Sequence, residues 1–206
     1  MFTRLISVMF RYIFLMLLVS ACSEQPPGLR SLGPDSTILA FGNSLTYGTG
    51  ANEQDSYPAQ LSRLLNIKVI NAGNPGEVSR DGLKRLPALL QQHQPDLLIL
   101  CHGGNDMIRK MNAAQTQKNL EQMIELAKAK NIDVILLGVP KPGLFLNSAE
   151  LYESVAEKFN LPIQDTILPA VLAENDYKSD PIHPNRQGYQ LISEAIYKLL
   201  ETNGAI

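Results

Sequence analysis

The sequence has no tryptophan and only two cysteines, Cys22 and Cys101, in 206 residues. That count excludes a disulfide-stapled scaffold, so the folded part must be held by an apolar core. Positive charge is scarce as well. Lys and Arg number 18 against 20 Asp and Glu, a net charge of −2, which offers nucleic acid no basic surface. Although Gly42, Gly48 and Gly50 lie close together, there is no G-x-G-x-x-G and no G-K-[ST], so neither a dinucleotide site nor a phosphate loop is supported. The three histidines, His93, His102 and His183, are too scattered for a metal motif. No repeat or low-complexity tract divides the chain, and one domain is expected.

Residues 1–21 carry Arg4 and Arg11, no acidic residue, and an apolar run from about Tyr12. A basic stretch followed by an apolar run too short to span a bilayer comfortably is the layout of a secretory signal peptide. It ends in "LVSAC", where Val19, Ser20 and Ala21 before Cys22 match a bacterial lipobox, with Cys22 the lipidated residue. The plainer alternative is cleavage near Ala21 that leaves a free thiol and a soluble periplasmic protein. Residues 22–36, rich in Pro, Gly and Ser, read as a flexible tether to a domain over 37–206. Ser23 after the cysteine, in place of aspartate, favours the outer membrane by bacterial sorting rules.

Short apolar runs at Thr37–Phe41, Lys68–Asn71, Leu97–Cys101 and Val134–Leu137 lack polar alternation and read as strands buried on both faces. Between and after them, helical spacing appears over Tyr57–Asn66, Asp81–His93, Asn119–Lys130, Ala149–Asn160 and about Gln187–Glu201, with a short fifth strand near Leu161–Ile163. This alternation predicts an α/β fold, a three-layer α/β/α sandwich around a five-stranded parallel sheet. The C-terminal strand ends then share one rim.

Four segments fall on that rim: "GNSL", "NPGEVS", "GGND" and "SDPIHPN". Ser44, His183 and Asp180 are a matched nucleophile, general base and orienting carboxylate. Gly76 can expose a backbone N–H to a substrate, and Asn105 can aim a side-chain N–H₂ at the same point. Each segment has a plainer reading: Ser44 as an N-cap, the Asp180-Pro181 and His183-Pro184 pairs as turn punctuation, Gly76 as a turn glycine, Asn105-Asp106 as a helix cap. Four such accidents, all at strand ends, are much less expected than one site. Elsewhere, Cys101 in "DLLILCHGG" reads as a buried small hydrophobe and His93 in "QQHQP" as solvated. For His102 two readings stay open, with a packed or surface histidine favoured over a pocket-lining one. "GNSLT" also lacks the second glycine of G-x-S-x-G, against an α/β-hydrolase elbow.

With these blocks in place, the sequence resembles the SGNH hydrolases, the GDSL-type esterases, and within them the bacterial periplasmic thioesterase, lysophospholipase and arylesterase group. The likeness runs from Thr37 to Leu199 and rests on "FGNSLTYGTG", "NAGNPGEVS", "GGND" and "DPIHPNRQGY". It implies a flavodoxin-like hydrolase of carboxylic esters or thioesters, with catalytic Ser44, Asp180 and His183. The oxyanion hole would be the Ser44 N–H, the Gly76 N–H and the Asn105 side chain. No metal or cofactor is implied. The substrate would be a small or single-chain acyl ester, the enzyme a monomer, and the tether long enough to bring the cleft to lipid esters near the bilayer. Alternatives are a deacetylase of envelope carbohydrate and a non-catalytic binding lipoprotein. Two positions depart from the family: Asn43 replaces the usual aspartate before the serine, and His102 stands where the group tends to be apolar, which bears on the acyl pocket.

Overall fold

A computed structural model describes residues 28–143 and 147–206; residues 1–27, with the expected signal peptide and Cys22, lie outside them. Five parallel strands, β1 (Thr37–Gly42), β2 (Lys68–Gly73), β3 (Leu97–Cys101), β4 (Asp133–Leu137) and β5 (Ile163–Gln164), form one sheet in the order β2-β1-β3-β4-β5. The central strands are apolar over most of their length and sealed on both faces: Ala40, Ile99 and Ile135 are fully buried neighbours in register. At the edge, β2 starts on the exposed Lys68. Its unpaired side faces solvent, so it tolerates the polar residues that β3 excludes.

Among the described residues, eight α-helices accompany the sheet. Three of them, α2 (Tyr57–Leu65), α7 (Ile167–Ala173) and α8 (Arg186–Thr202), pack together, and α3 (Ser79–His93), α5 (Ala113–Lys128) and α6 (Glu150–Phe159) form a second group. The two remaining, α1 (Ser44–Tyr47) and α4 (Gly104–Ile108), are single turns that follow β1 and β3 at the rim. The strand order reverses between β1 and β3, and in open α/β sheets that crevice is where ligands bind.

The expected sandwich is present, and the departures from expectation have local causes. Helix α5 begins at Ala113, not Asn119, because Asn112 caps it by accepting the Gln115 N–H at 3.0 Å, ahead of a polar first turn with no apolar period to read. The fifth strand is two residues long and shifted to Ile163–Gln164. Asp180 and His183 sit on a small antiparallel hairpin, β6 (Lys178–Asp180) and β7 (His183–Pro184), which apolar patterning could not announce.

Part of the stretch expected to be a flexible tether is held against the domain. Residues 28–36 are docked on the domain: the Leu29 and Leu32 N–H groups donate to the carbonyls of Asn203 and Ala205 at 3.0 and 2.7 Å. Arg30 bonds Asp133 at 3.1 Å and reaches the carbonyls of Asp96 and Asn131. Leu29 and Leu32 also pack on the core. Two leucines and an arginine with partners are enough to fix a stretch that its Pro, Gly and Ser content had marked as free. All these partners lie at the N-terminal ends of β3 and β4 or past the end of α8, on the face opposite the rim.

Candidate active site

Ser44 is the first residue of α1, and the N-cap is Asn43, whose Oδ1 accepts the Leu45 N–H at 3.1 Å. The capping role offered for the serine thus belongs to its neighbour, which leaves the Ser44 hydroxyl free to turn outward. It donates to His183 Nε2 at 3.0 Å. On the other side of the ring, His183 Nδ1–H donates to Asp180 Oδ2 at 2.7 Å. Asp180 and His183 are cross-strand partners of the β6–β7 hairpin, with Pro181 and Ile182 forming its turn. The second carboxylate oxygen, Oδ1, accepts the Ile182 and His183 N–H groups, both at 2.9 Å. Burial alone would raise the Asp180 carboxyl, but the hydrogen bonds from His183 and the turn amides prevail and hold it below the usual carboxylate range. It is therefore an anion placed to fix the imidazole and to stabilise it once protonated.

Two further groups face the same space. Gly76 has φ +78°, a left-handed conformation that L side chains rarely adopt. A Cβ there would meet only the Arg109 guanidinium, at an ordinary 3.8 Å, so the glycine is required by backbone conformation. Asn105, in α4, donates one Nδ2 hydrogen to the Glu77 carbonyl at 2.9 Å, which leaves the other to point into the cleft. Ser44, Gly76, Asn105, Asp180 and His183 all line one cleft of about 1320 Å³, whose walls include Leu45, Ile108, Val139, Leu172 and Ile182. Ile108 and Ile182 are 46% and 45% exposed, apolar side chains left in water at the cleft.

Three neighbours were not assigned to this arrangement from the sequence. Asp106, next to Asn105, is 1% exposed and turns away from the cleft. It accepts from the Ser79 backbone N–H at 2.9 Å and the Ser79 hydroxyl at 2.5 Å, pinning the start of α3. Glu77 and Arg85 pair beneath the cleft at 2.7 Å. His102 is fully buried and absent from the cleft lining, so the packed reading holds and its bearing on the acyl pocket falls away. The sequence carried a faint signal for Glu77: an acidic residue directly after a rim glycine. Cys101 is buried, and burial pushes its thiol up to about 12, which rules it out as a nucleophile. His93 is half-buried near the end of α3.

A family model for the GDSL-like Lipase/Acylhydrolase family matches residues 40–191. The chain belongs to that family. It is 34% identical over 173 residues to the Thioesterase 1/protease 1/lysophospholipase L1 of Escherichia coli K12, covering 80% of this chain and 83% of the relative. Against an Arylesterase of Vibrio mimicus it is 28% identical over 170 residues, 77% of this chain and 85% of that one. Among solved structures, that of TesA superposes with a TM-score of 0.74 at 30% identity, over 81% of this chain and 98% of the other. This GDSL-like hydrolase is therefore an ester-hydrolysing enzyme of SGNH type. Among the described residues, no helix is long and apolar enough to cross a membrane.

Proposed function

We propose that this GDSL-like hydrolase is a serine esterase that cleaves carboxylic ester or thioester bonds of single-chain acyl substrates through an acyl-enzyme on Ser44. The observation that carries the reading is the continuous hydrogen-bonded chain from the Ser44 hydroxyl through His183 to Asp180, opening on a cleft with apolar walls. His183 takes the Ser44 proton as the oxygen attacks the carbonyl, and Asp180 steadies the imidazolium. The negative charge that develops on the carbonyl oxygen is met by the Ser44 and Gly76 N–H groups and the free Asn105 Nδ2 hydrogen. Collapse expels the alcohol or thiol, which leaves with the His183 proton. Water, deprotonated by the same histidine, then releases the acid and restores Ser44.

The apolar part of the lining, with Leu45, Ile108, Leu172 and Ile182, offers area for the methylenes of an acyl chain, while Thr49, Asn147, Asn175 and Ser179 on the same lining can meet a polar leaving group. The test pairs fluorophosphonate labelling with a panel of p-nitrophenyl esters of increasing acyl length. Labelling at Ser44 and turnover that rises beyond acetate support the reading. No label would leave a binding protein, and a strict preference for acetylated sugars a deacetylase.

We place the enzyme at the bacterial envelope, held by lipidated Cys22 and facing the periplasm. The lipobox before Cys22 supports this. Because residues 28–36 dock on the face opposite the rim, the anchor holds that face, not the cleft, next to the membrane.

A further inference from the structure

Beneath the cleft, Glu77 receives donors from three directions. Arg85 Nε donates to Oε1 at 2.9 Å and Arg85 Nη2 to Oε2 at 2.7 Å. Asn74 Nδ2 donates to Oε1 at 3.0 Å. His102 Nε2 meets Oε2 at 3.1 Å, and because His102 Nδ1 accepts the Gly103 N–H at 3.2 Å, it is Nε2 that carries the proton and donates. Each carboxylate oxygen thus has two donors, and none of its four acceptor sites is left for a substrate or a proton shuttle. Arg85 goes further. Its Nη2 also reaches the carbonyls of Ala72 at 3.1 Å and Gly42 at 3.4 Å, and the guanidinium stacks 4.5 Å from the centre of the Phe41 ring.

The partners stand at the ends of three strands, and each end leads within a few residues to one oxyanion donor: Gly42 to Ser44, Ala72 and Asn74 to Gly76, His102 to Asn105. The Glu77 carbonyl itself holds the Asn105 amide. We infer that Glu77, gripped by Arg85 and His102, is a positioning residue that sets the three oxyanion donors relative to one another. This rests on the serine-esterase reading of the cleft.

Fold stability alone does not call for such a cluster. A buried ion pair is often no better than apolar side chains of the same volume. Helix α3 also carries Gly82, a poor helix former, where the imidazole enters: a Cβ there would lie 2.4 Å from His102 Nε2. Neither feature is explained by stability, and both serve the geometry at the strand ends, where a displacement of about 1 Å can cost about a hundredfold in rate.

The experiment compares wild type, Glu77→Gln, the charge-free double variant Glu77→Gln with Arg85→Met, His102→Leu and His102→Gln, on a soluble p-nitrophenyl butyrate. Melting curves establish which are folded. In Glu77→Gln an amide must turn donors toward donors, so kcat and kcat/KM should fall together by about tenfold or more, the mark of an interaction made in the transition state. His102→Leu should fall less, and His102→Gln, which restores a donor, should recover part of the loss. Folded Glu77 variants within twofold of wild type, or a rise in KM at unchanged kcat, overturn the inference. Should the Glu77 variants not fold, the His102 pair decides, since it removes no charge. Fluorophosphonate labelling of wild type separates the failures: no label at Ser44 removes the esterase reading and the inference with it, whereas a labelled wild type with indifferent variants removes the inference alone.

Discussion

Asp180 and His183 face each other across a two-residue turn, and the carboxylate grips both ends of it, one oxygen on the imidazole and the other on two turn amides. Orientation of the ring is therefore built into a hairpin and does not wait for substrate. Asp180→Ala should lower kcat severely, but by less than Ser44→Ala or His183→Ala, each of which removes a reacting group from a unit whose loss costs on the order of 10⁶ where measured. The Asp180 carboxyl sits below its usual range, so it stays ionised through the working pH and the acid limb of the rate profile is not its own. Single-turnover assays of the three variants across pH check both statements; a wild-type rate in Asp180→Ala would assign the role to another carboxylate.

Asn105→Ala should lower kcat by about 10²–10³ with little change in KM, because its free hydrogen meets charge that exists mainly in the transition state. Steady-state kinetics on a soluble ester decide it. A pure KM effect would put Asn105 in ground-state binding instead.

The four rim segments were legible because each joins a strand end to residues with few structural reasons to be there. Ser44, Gly76, Asn105, Asp180 and His183 all line the cleft. The strands β1, β3 and β4 were equally plain, since burial on both faces demands unbroken apolar runs. What could not be read was set by partners distant in sequence. Glu77 and His102 are 25 positions apart, and nothing local marks either as the other's partner. The β6–β7 hairpin has no apolar alternation, being held by Asx-type bonds, and the docking of residues 28–36 depends on Asp133 and the far end of α8.

Asn43 is 2% exposed, and its Oδ1 caps α1. Aspartate offers the same oxygen, so Asn43→Asp should fold and remain active, whereas Asn43→Ala should lose about 1 kcal/mol of stability with the cap. The substitution also puts a negative charge on the residue before Ser44, so turnover or the pH profile of the rate should change. Thermal melts and pH-rate profiles of the two variants test this. An inactive Asn43→Asp would mean that the loop has adapted to the neutral residue.

Glu77 also links stability to pH. Burial raises its carboxyl, yet the donors from His102, Arg85 and Asn74 and the Arg85 charge outweigh it and bring the group from 4.5 down to about 2. A carboxyl lowered on folding stabilises the native state above its unfolded value, and that contribution is lost as pH falls through the window from about 4.5 to about 2. Wild type should therefore lose stability across this window more steeply than the Glu77→Gln, Arg85→Met double variant. Urea melts at intervals of pH measure the difference, and parallel slopes would show that the cluster is not titrating there.

The last prediction concerns what an anchored enzyme can reach. With Cys22 lipidated, the chain from it to Gly28, next to the docked Leu29, spans at most about 20 Å even when fully extended. Helix α8, 17 residues from the rim to the docking face, is about 25 Å long. The cleft therefore cannot be laid face-down on the leaflet that holds the anchor, and the idea that a tether through Ser36 would bring it to bilayer esters does not survive the docking of residues 28–36. The lipidated enzyme in vesicles should hydrolyse a soluble short-chain ester at the rate of the Cys22→Ser protein. It should be slow on a single-chain ester embedded in the same vesicles, and an insertion of about 20 flexible residues before Gly28 should raise only the second rate. Mass spectrometry of the mature N-terminus establishes the lipid first. An unmodified Cys22 would remove the anchor and leave the hydrolase standing, whereas rapid turnover of the embedded ester without the insertion would show that the cleft meets the membrane after all.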